Sequence, residues 1–113
     1  MKKKPSEKQK AVEAIRQYPS LRDEAELSPE QTLQLEAVRS ALLWQSKKTD
    51  TKLRETMVRL IYWHEPRYSL REVAQRIDRS YDTVKRWHGA FVEAVSVGLQ
   101  KKSDFFGGVP QIP

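Results

Sequence analysis

The chain has no cysteine among its 113 residues, which excludes disulfide scaffolds, thiolate metal sites and cysteine nucleophiles. Glycine is scarce as well: there are four, and three of them stand at position 98 or later. Tight hairpins draw on glycine, so a sheet of short strands is poorly supported, and no glycine-rich phosphate loop is present. The two histidines, His64 and His88, stand at no metal-ligand spacing from each other or from a carboxylate pair. His64 suits a helix end, and His88 a phosphate contact beside a basic face. No apolar run approaches the ~20 residues of a membrane helix. Lys2, Lys3 and Lys4 could open a signal peptide, but residues 5–10 are polar where an apolar stretch would have to follow. No nucleophile elbow, Walker loop or paired-carboxylate arrangement occurs. The expectation is a soluble, intracellular binding protein that is not an enzyme and carries neither cofactor nor metal.

What the chain does have is charge. Charged residues make up 32% of it, and the 21 Lys and Arg against 15 Asp and Glu give a net charge of +6. The excess lies at the ends: residues 1–10 carry +4 and residues 69–102 carry +3, around a middle segment, 11–50, of −2. Such a balance favours a polyanionic partner. The hydrophobic fraction of 38% is below the ~45–50% of an average domain, so the core must be small.

Helix formers dominate. Val12, Ile15, Ala11 and Ala14 fall at helical spacing, and Pro19 predicts that this first helix stops near Tyr18. The acidic stretch 21–27 reads as a connection. Ser28-Pro29-Glu30-Gln31 is a helix start, with a serine cap, proline at the first position and glutamine completing a capping box. This second helix should run to about Gln45. It places Leu35, Val38 and Leu42 on one stripe, with Leu33, Ala37, Ala41 and Trp44 beside it. A stripe this wide suggests a homodimer with part of its interface on Leu35, Val38 and Leu42; its cover by other helices of the same chain is the competing expectation. A third helix, capped by Thr49 or Asp50, carries Leu53, Met57, Leu60 and Ile61 and ends near His64-Glu65-Pro66. Gly98 reads as a helix stop.

Residues 69–89 read SLREVAQRIDRSYDTVKRWHG. Ser69 and Glu72 form a capping-box pattern, and Leu70, Val73, Ala74 and Ile77 line the inner face of a short helix. After Asp78-Arg79, Ser80 caps a second short helix with Val84, Trp87 and Phe91 on its buried side. Asp82, Lys85, Arg86 and Gly89 then face outward, flanked by Tyr81 and Thr83. Two short helices, a tight turn and a small alanine at the crossing make a helix-turn-helix pattern, whose second helix would enter the major groove. The candidate DNA-binding residues are Ser69, Arg71, Arg79, Ser80, Tyr81, Asp82, Thr83, Lys85 and Arg86. Of these, Ser69, Arg71 and Thr83, with the basic ends of the chain, would contact phosphates. Tyr81, Asp82, Lys85 and Arg86 would read bases. Asp82 also suits a helix N-terminus through the dipole alone. Gly89 admits either close approach of a sugar-phosphate strand or a bend.

The run Ser69…Ala74…Ser80-x-x-Thr83-Val84-x-Arg86-Trp87 resembles region 4 of sigma factors and related helix-turn-helix proteins. Together with Tyr18-Pro19, the helix ending in Tyr62-Trp63, and Phe91-Val92, the wider pattern is similar to the small phage regulators of the RinA and ArpU type. It departs at Asp78-Arg79, where such motifs usually place glycine and an apolar residue. The resemblance implies a phage late-gene activator that binds double-stranded DNA and acts with RNA polymerase in the cytoplasm of a bacterial host. Two alternatives stay open: a DNA-recognition protein like a phage terminase small subunit, and a sigma- or polymerase-interaction module that does not bind DNA.

The expected organisation is all-α: a basic flexible arm over 1–10, N-terminal helices over 11–68, a helix-turn-helix region over 69–99 and a flexible tail over 100–113.

Overall fold

The computed structural model describes residues 6–106, and side chains from residue 6 to residue 100. The described residues are all-helical: α1 (Glu7–Asp23), α2 (Pro29–Gln45), α3 (Thr51–Val58) continuing into a π-helical turn (Arg59–Trp63), α4 (Leu70–Arg76) and α5 (Tyr81–Phe106). The expected basic arm over 1–10 is shorter, because α1 starts at Glu7 under a capping box of Ser6 and Gln9. Residues 1–5 and 107–113, and the side chains of Phe105 and Phe106, lie outside what is described.

Each helix start is a local sequence event. At α2, Ser28 Oγ accepts from the Gln31 N–H at 3.1 Å and Gln31 Oε1 accepts from the Ser28 N–H at 2.9 Å, so two otherwise unpaired donors are satisfied. Ser69 and Glu72 repeat the arrangement at α4. The start of α3 differs from expectation. Neither Thr49 nor Asp50 caps it through its side chain; Asp50 instead takes the left-handed conformation at φ 56°.

The core forms where α5 lies against α1, α2, α3 and α4. Val84, Phe91 and Val95 of α5 are fully buried, Trp87 and Leu99 nearly so, and α1 and α2 meet them with Ala11, Ala14, Ile15, Ala37, Val38 and Ala41. The alanines let helix backbones approach closely. Gly98 belongs to this close approach and is not a stop: a Cβ built there would lie 3.3 Å from both Cα and Cβ of Ala37. The second helix of the motif is therefore not short. It runs as one 26-residue helix into the stretch expected as a tail.

That length also decides the fate of the α2 stripe. Leu35 and Val38 are buried within the chain, Leu42 is half-buried, and the cover comes from α5 and α1. Leu35 and Val38 thus offer no free surface to a second copy. Among the described residues, the large apolar side chains left exposed are Leu43 and Trp44 on α2 and Val97 on α5.

The first helix does not stop at Tyr18 but passes through Pro19 to Asp23. Proline has no N–H, and its ring crowds the carbonyl four residues back, at a usual cost of ~3 kcal/mol. Here that carbonyl belongs to Ile15, and it finds another donor: the Trp63 indole N–H reaches Ile15 O at 2.7 Å. The Trp63 ring also stacks on Tyr18, with centroids 5.4 Å apart. One residue earlier, Tyr62 Oη and His88 Nε2 share a 2.6 Å hydrogen bond, and their rings stack at 5.7 Å. The π-helical turn thereby fastens α1 with one aromatic and α5 with its neighbour.

Two outcomes follow from these contacts. Trp63→Phe keeps the ring but removes the donor, so it should lower stability by ~1–2 kcal/mol in urea unfolding. Much of that loss should vanish in a Pro19→Ala background, where the backbone supplies an N–H to Ile15; equal losses in both backgrounds would contradict the exchange of donors. His88 titrates below its ordinary value of 6.5, first because burial penalises the imidazolium and second because Lys8 repels it. The unfolded chain then binds this proton at higher pH than the folded one. Stability contributed by neutral His88 is complete above about 6.5 and declines as pH falls through the folded value. Urea midpoints measured from pH 7.5 down to pH 5 should fall less steeply for His88→Gln than for the wild type.

Candidate nucleic-acid interface

The site is built on the turn between α4 and α5. After Arg76, the Ile77 N–H donates to Val73 O at 2.9 Å, and the Arg79 N–H reaches back to Ala74 O at 3.0 Å. Asp78 between them sits at φ 59°. This is the helix closure that commonly employs glycine, and aspartate is among the few other residues that tolerate it. The absence of glycine at 78 therefore does not prevent a tight turn. Ser80 then starts α5: its Oγ accepts from the Thr83 N–H at 3.1 Å and donates to Thr83 Oγ1 at 2.9 Å.

Burial of Val84, Trp87 and Phe91 fixes the rotation of α5 about its axis. Asp82, Lys85, Arg86 and Gly89 are consequently exposed on the far side, with Tyr81 and Thr83 half-exposed at the flanks. A Cβ built on Gly89 would meet nothing within 4 Å, so no neighbour among the described residues requires glycine at this position. The Arg71 guanidinium lies 4.2 Å from the centroid of the Tyr81 ring, which joins the exposed start of α4 to that of α5 through a cation–π contact.

The nine candidate residues thus divide by task. Ser69, Ser80 and Thr83 build the helix ends with their hydroxyls. Arg79 is held by its own surroundings: Nη1 donates to Asp78 O at 3.0 Å and Nη2 pairs with Asp50 at 3.5 Å. The two left-handed aspartates, Asp50 and Asp78, are in this way tied to one another through Arg79. Arg71, Tyr81, Asp82, Lys85 and Arg86 are the side chains presented outward. Glu72, whose carboxyl titrates below the ordinary carboxylate range because the Ser69 backbone and hydroxyl groups hydrogen-bond to it, belongs to the α4 cap.

His88 does not join this face. It is half-buried, hydrogen-bonded to Tyr62, and burial disfavours its imidazolium, so its ring serves the contact between α5 and the π-helical turn. His64 closes the π-helical turn as expected and places Nδ1 2.9 Å from Pro66 O. Among the described residues, no group of His, Asp and Glu could hold a metal ion, and no helix is long and apolar enough to cross a membrane.

One neighbour of the face was missed by sequence reasoning. The loop before α3 and the first turn of α3 stand beside the α4–α5 turn, through the Asp50–Arg79 pair and through Arg54, whose guanidinium lies 4.7 Å from the Trp87 ring centroid. The periodicity of α3 gives its apolar side only, and nothing local in the sequence connects Arg54 with a tryptophan 33 positions away. Comparison with family models, with curated proteins and with solved structures gave no match, so the resemblance to the RinA and ArpU regulators rests on the quoted residues alone.

Proposed function

We propose that the chain is a sequence-specific DNA-binding transcription regulator, with α4, the turn and the start of α5 acting as a helix-turn-helix. The observation that carries this reading is the division of the first turns of α5. Val84 and Trp87 are buried, while Asp82, Lys85 and Arg86 stand free on the opposite side, next to a glycine with open space above it. A basic, rigidly mounted helix start of this kind matches the geometry by which a recognition helix enters the major groove. Lys85 and Arg86 would donate to base acceptors, Asp82 would accept from cytosine N4, and Tyr81 would lie at the groove edge. Arg71 and the capped start of α4 would meet phosphates. The net charge of +6 would favour encounter with DNA without adding sequence preference.

Late-gene activation with host RNA polymerase in phage-infected bacteria is the specific role that the resemblance supports. Burial of Leu35 and Val38 favours one recognition helix per site over a dimer built on that stripe, with polymerase supplying the second contact. The test is a gel-shift assay on duplexes from upstream of the protein's own gene, with unrelated duplex as competitor. Arg86→Ala should weaken binding to the preferred duplex by ~1–3 kcal/mol, about tenfold to a hundredfold, with the circular dichroism melt unchanged. Wild-type affinity in the variant would show that the face is misassigned. Binding without sequence preference that vanishes in moderate salt would instead favour the interaction-module alternative.

A further inference from the structure

We propose that Arg54 of α3 is a phosphate-binding residue at the edge of the α5 face, outside the helix-turn-helix itself. The proposal rests on the DNA-binding reading above and extends its footprint to a third helix.

Three observations converge on this side chain. Arg54 is anchored twice, by its guanidinium against the Trp87 ring at 4.7 Å and by Nε, which donates to Thr49 O at 2.8 Å. The two terminal amino groups, Nη1 and Nη2, make no hydrogen bond or ion pair among the described residues. A guanidinium fixed on one face and at one nitrogen has already lost most of its rotamer freedom, so binding an anion would cost little further ordering. The free pair of N–H groups is the fork that suits a phosphate.

The local charges point the same way. The near carboxylate, Asp50, is paired with Arg79. Arg86 follows on the chain immediately before the tryptophan that Arg54 covers, and its charge opposes that of Arg54. Arg54 titrates below its ordinary value chiefly through burial; the Asp50 charge works against that lowering, and the Arg86 charge adds a smaller one. Arg54 remains cationic at any working pH. Arg54 covers the Trp87 ring and Arg86 precedes that residue on α5, and no carboxylate is paired to either cation among the described residues. An anion lying along this edge meets both unpaired cations, and a phosphate of the strand that borders the groove occupied by α5 is such an anion. The competing account is a purely structural arginine that shields Trp87.

Arg54→Met separates the two accounts, because methionine keeps an apolar stem over the ring and removes the charge together with the Nε–H bond to Thr49. The probe is a mixed-sequence duplex of about two helical turns, together with the preferred upstream duplex, titrated across a range of salt. The wild type should bind both duplexes. Arg54→Met should lose roughly tenfold on each, leave the ratio between them unchanged, and reduce the slope of log K against log salt by about one. Arg54→Lys, which keeps the charge, should retain the wild-type slope. If Arg54→Met is poorly folded by circular dichroism, the Arg54→Lys slope is read together with a scan of single methylphosphonate substitutions on the wild type. One neutralised phosphate should then weaken the wild type more than Arg54→Lys, whose ammonium holds it less firmly. An unchanged affinity and slope in Arg54→Met, or an absence of any such phosphate, overturns the proposal and leaves the DNA-binding reading standing. Failure of the wild type to bind any duplex overturns both.

Discussion

The buried stripe of α5 is the constraint on which the molecule depends. Val84, Trp87, Phe91 and Val95 follow one another at spacings of three and four, and none is more than 5% exposed. The same helix serves as the central strut of the core and as the carrier of the candidate face. Its rotation is therefore not free: every outward residue from Asp82 to Gly89 points where it does because its neighbours are locked inside. Full burial of a large apolar side chain contributes ~1.5–3 kcal/mol, so turning α5 enough to hide Arg86 would forfeit several such terms together. Close packing at Gly98 on Ala37 holds the distal half of the helix to α2, and the long helix transmits that anchorage to its N-terminal turns.

Around this strut, polar groups displaced by one irregularity are taken up by another. Pro19 releases the Ile15 carbonyl, and a tryptophan from the π-helical turn donates its indole N–H to it. Tyr62, beside it, closes on His88; burial raises its phenol to about 12, against a smaller lowering by the Arg16 charge. On the opposite side, Arg79 joins two aspartates that each occupy a left-handed turn. An exposed ion pair of this kind contributes little on its own, ~0–1 kcal/mol. Its effect is geometric: it keeps the loop before α3 beside the turn before α5, and so sets Arg54 next to Trp87.

Much of this was legible wherever a rule is local. The capping boxes at Ser28 and Ser69, the Ser80 cap, and the inward set of Val73, Ala74, Ile77, Val84, Trp87 and Phe91 each follow from residues within four positions of one another. What escaped was decided at a distance. Pro19 stops a helix in isolation, but its unpaired carbonyl is rescued from 48 residues away. Gly98 reads as a stop because glycine is common beyond helix ends; the facing Ala37 shows that it permits contact instead. The α2 stripe looked too wide for one chain only because α5 was expected to be short. His88 reads as a phosphate contact because its helix neighbours are basic, whereas its partner Tyr62 lies 26 residues earlier. Gln45, wholly buried with neither amide atom hydrogen-bonded among the described residues, has no signature in the sequence at all.

The central claim is that the outward side of α4 and the first turns of α5 form a DNA interface. Amide chemical-shift mapping during titration with the preferred duplex tests it most directly, because it reports location as well as binding. The largest changes should fall on Arg71, Tyr81, Lys85, Arg86 and Gly89, with the Arg54 side-chain Nε–H among them, while the amides of α1 stay in place. Changes confined to Leu43, Trp44 and Val97, the exposed apolar residues on the other surface of α2 and α5, would contradict it.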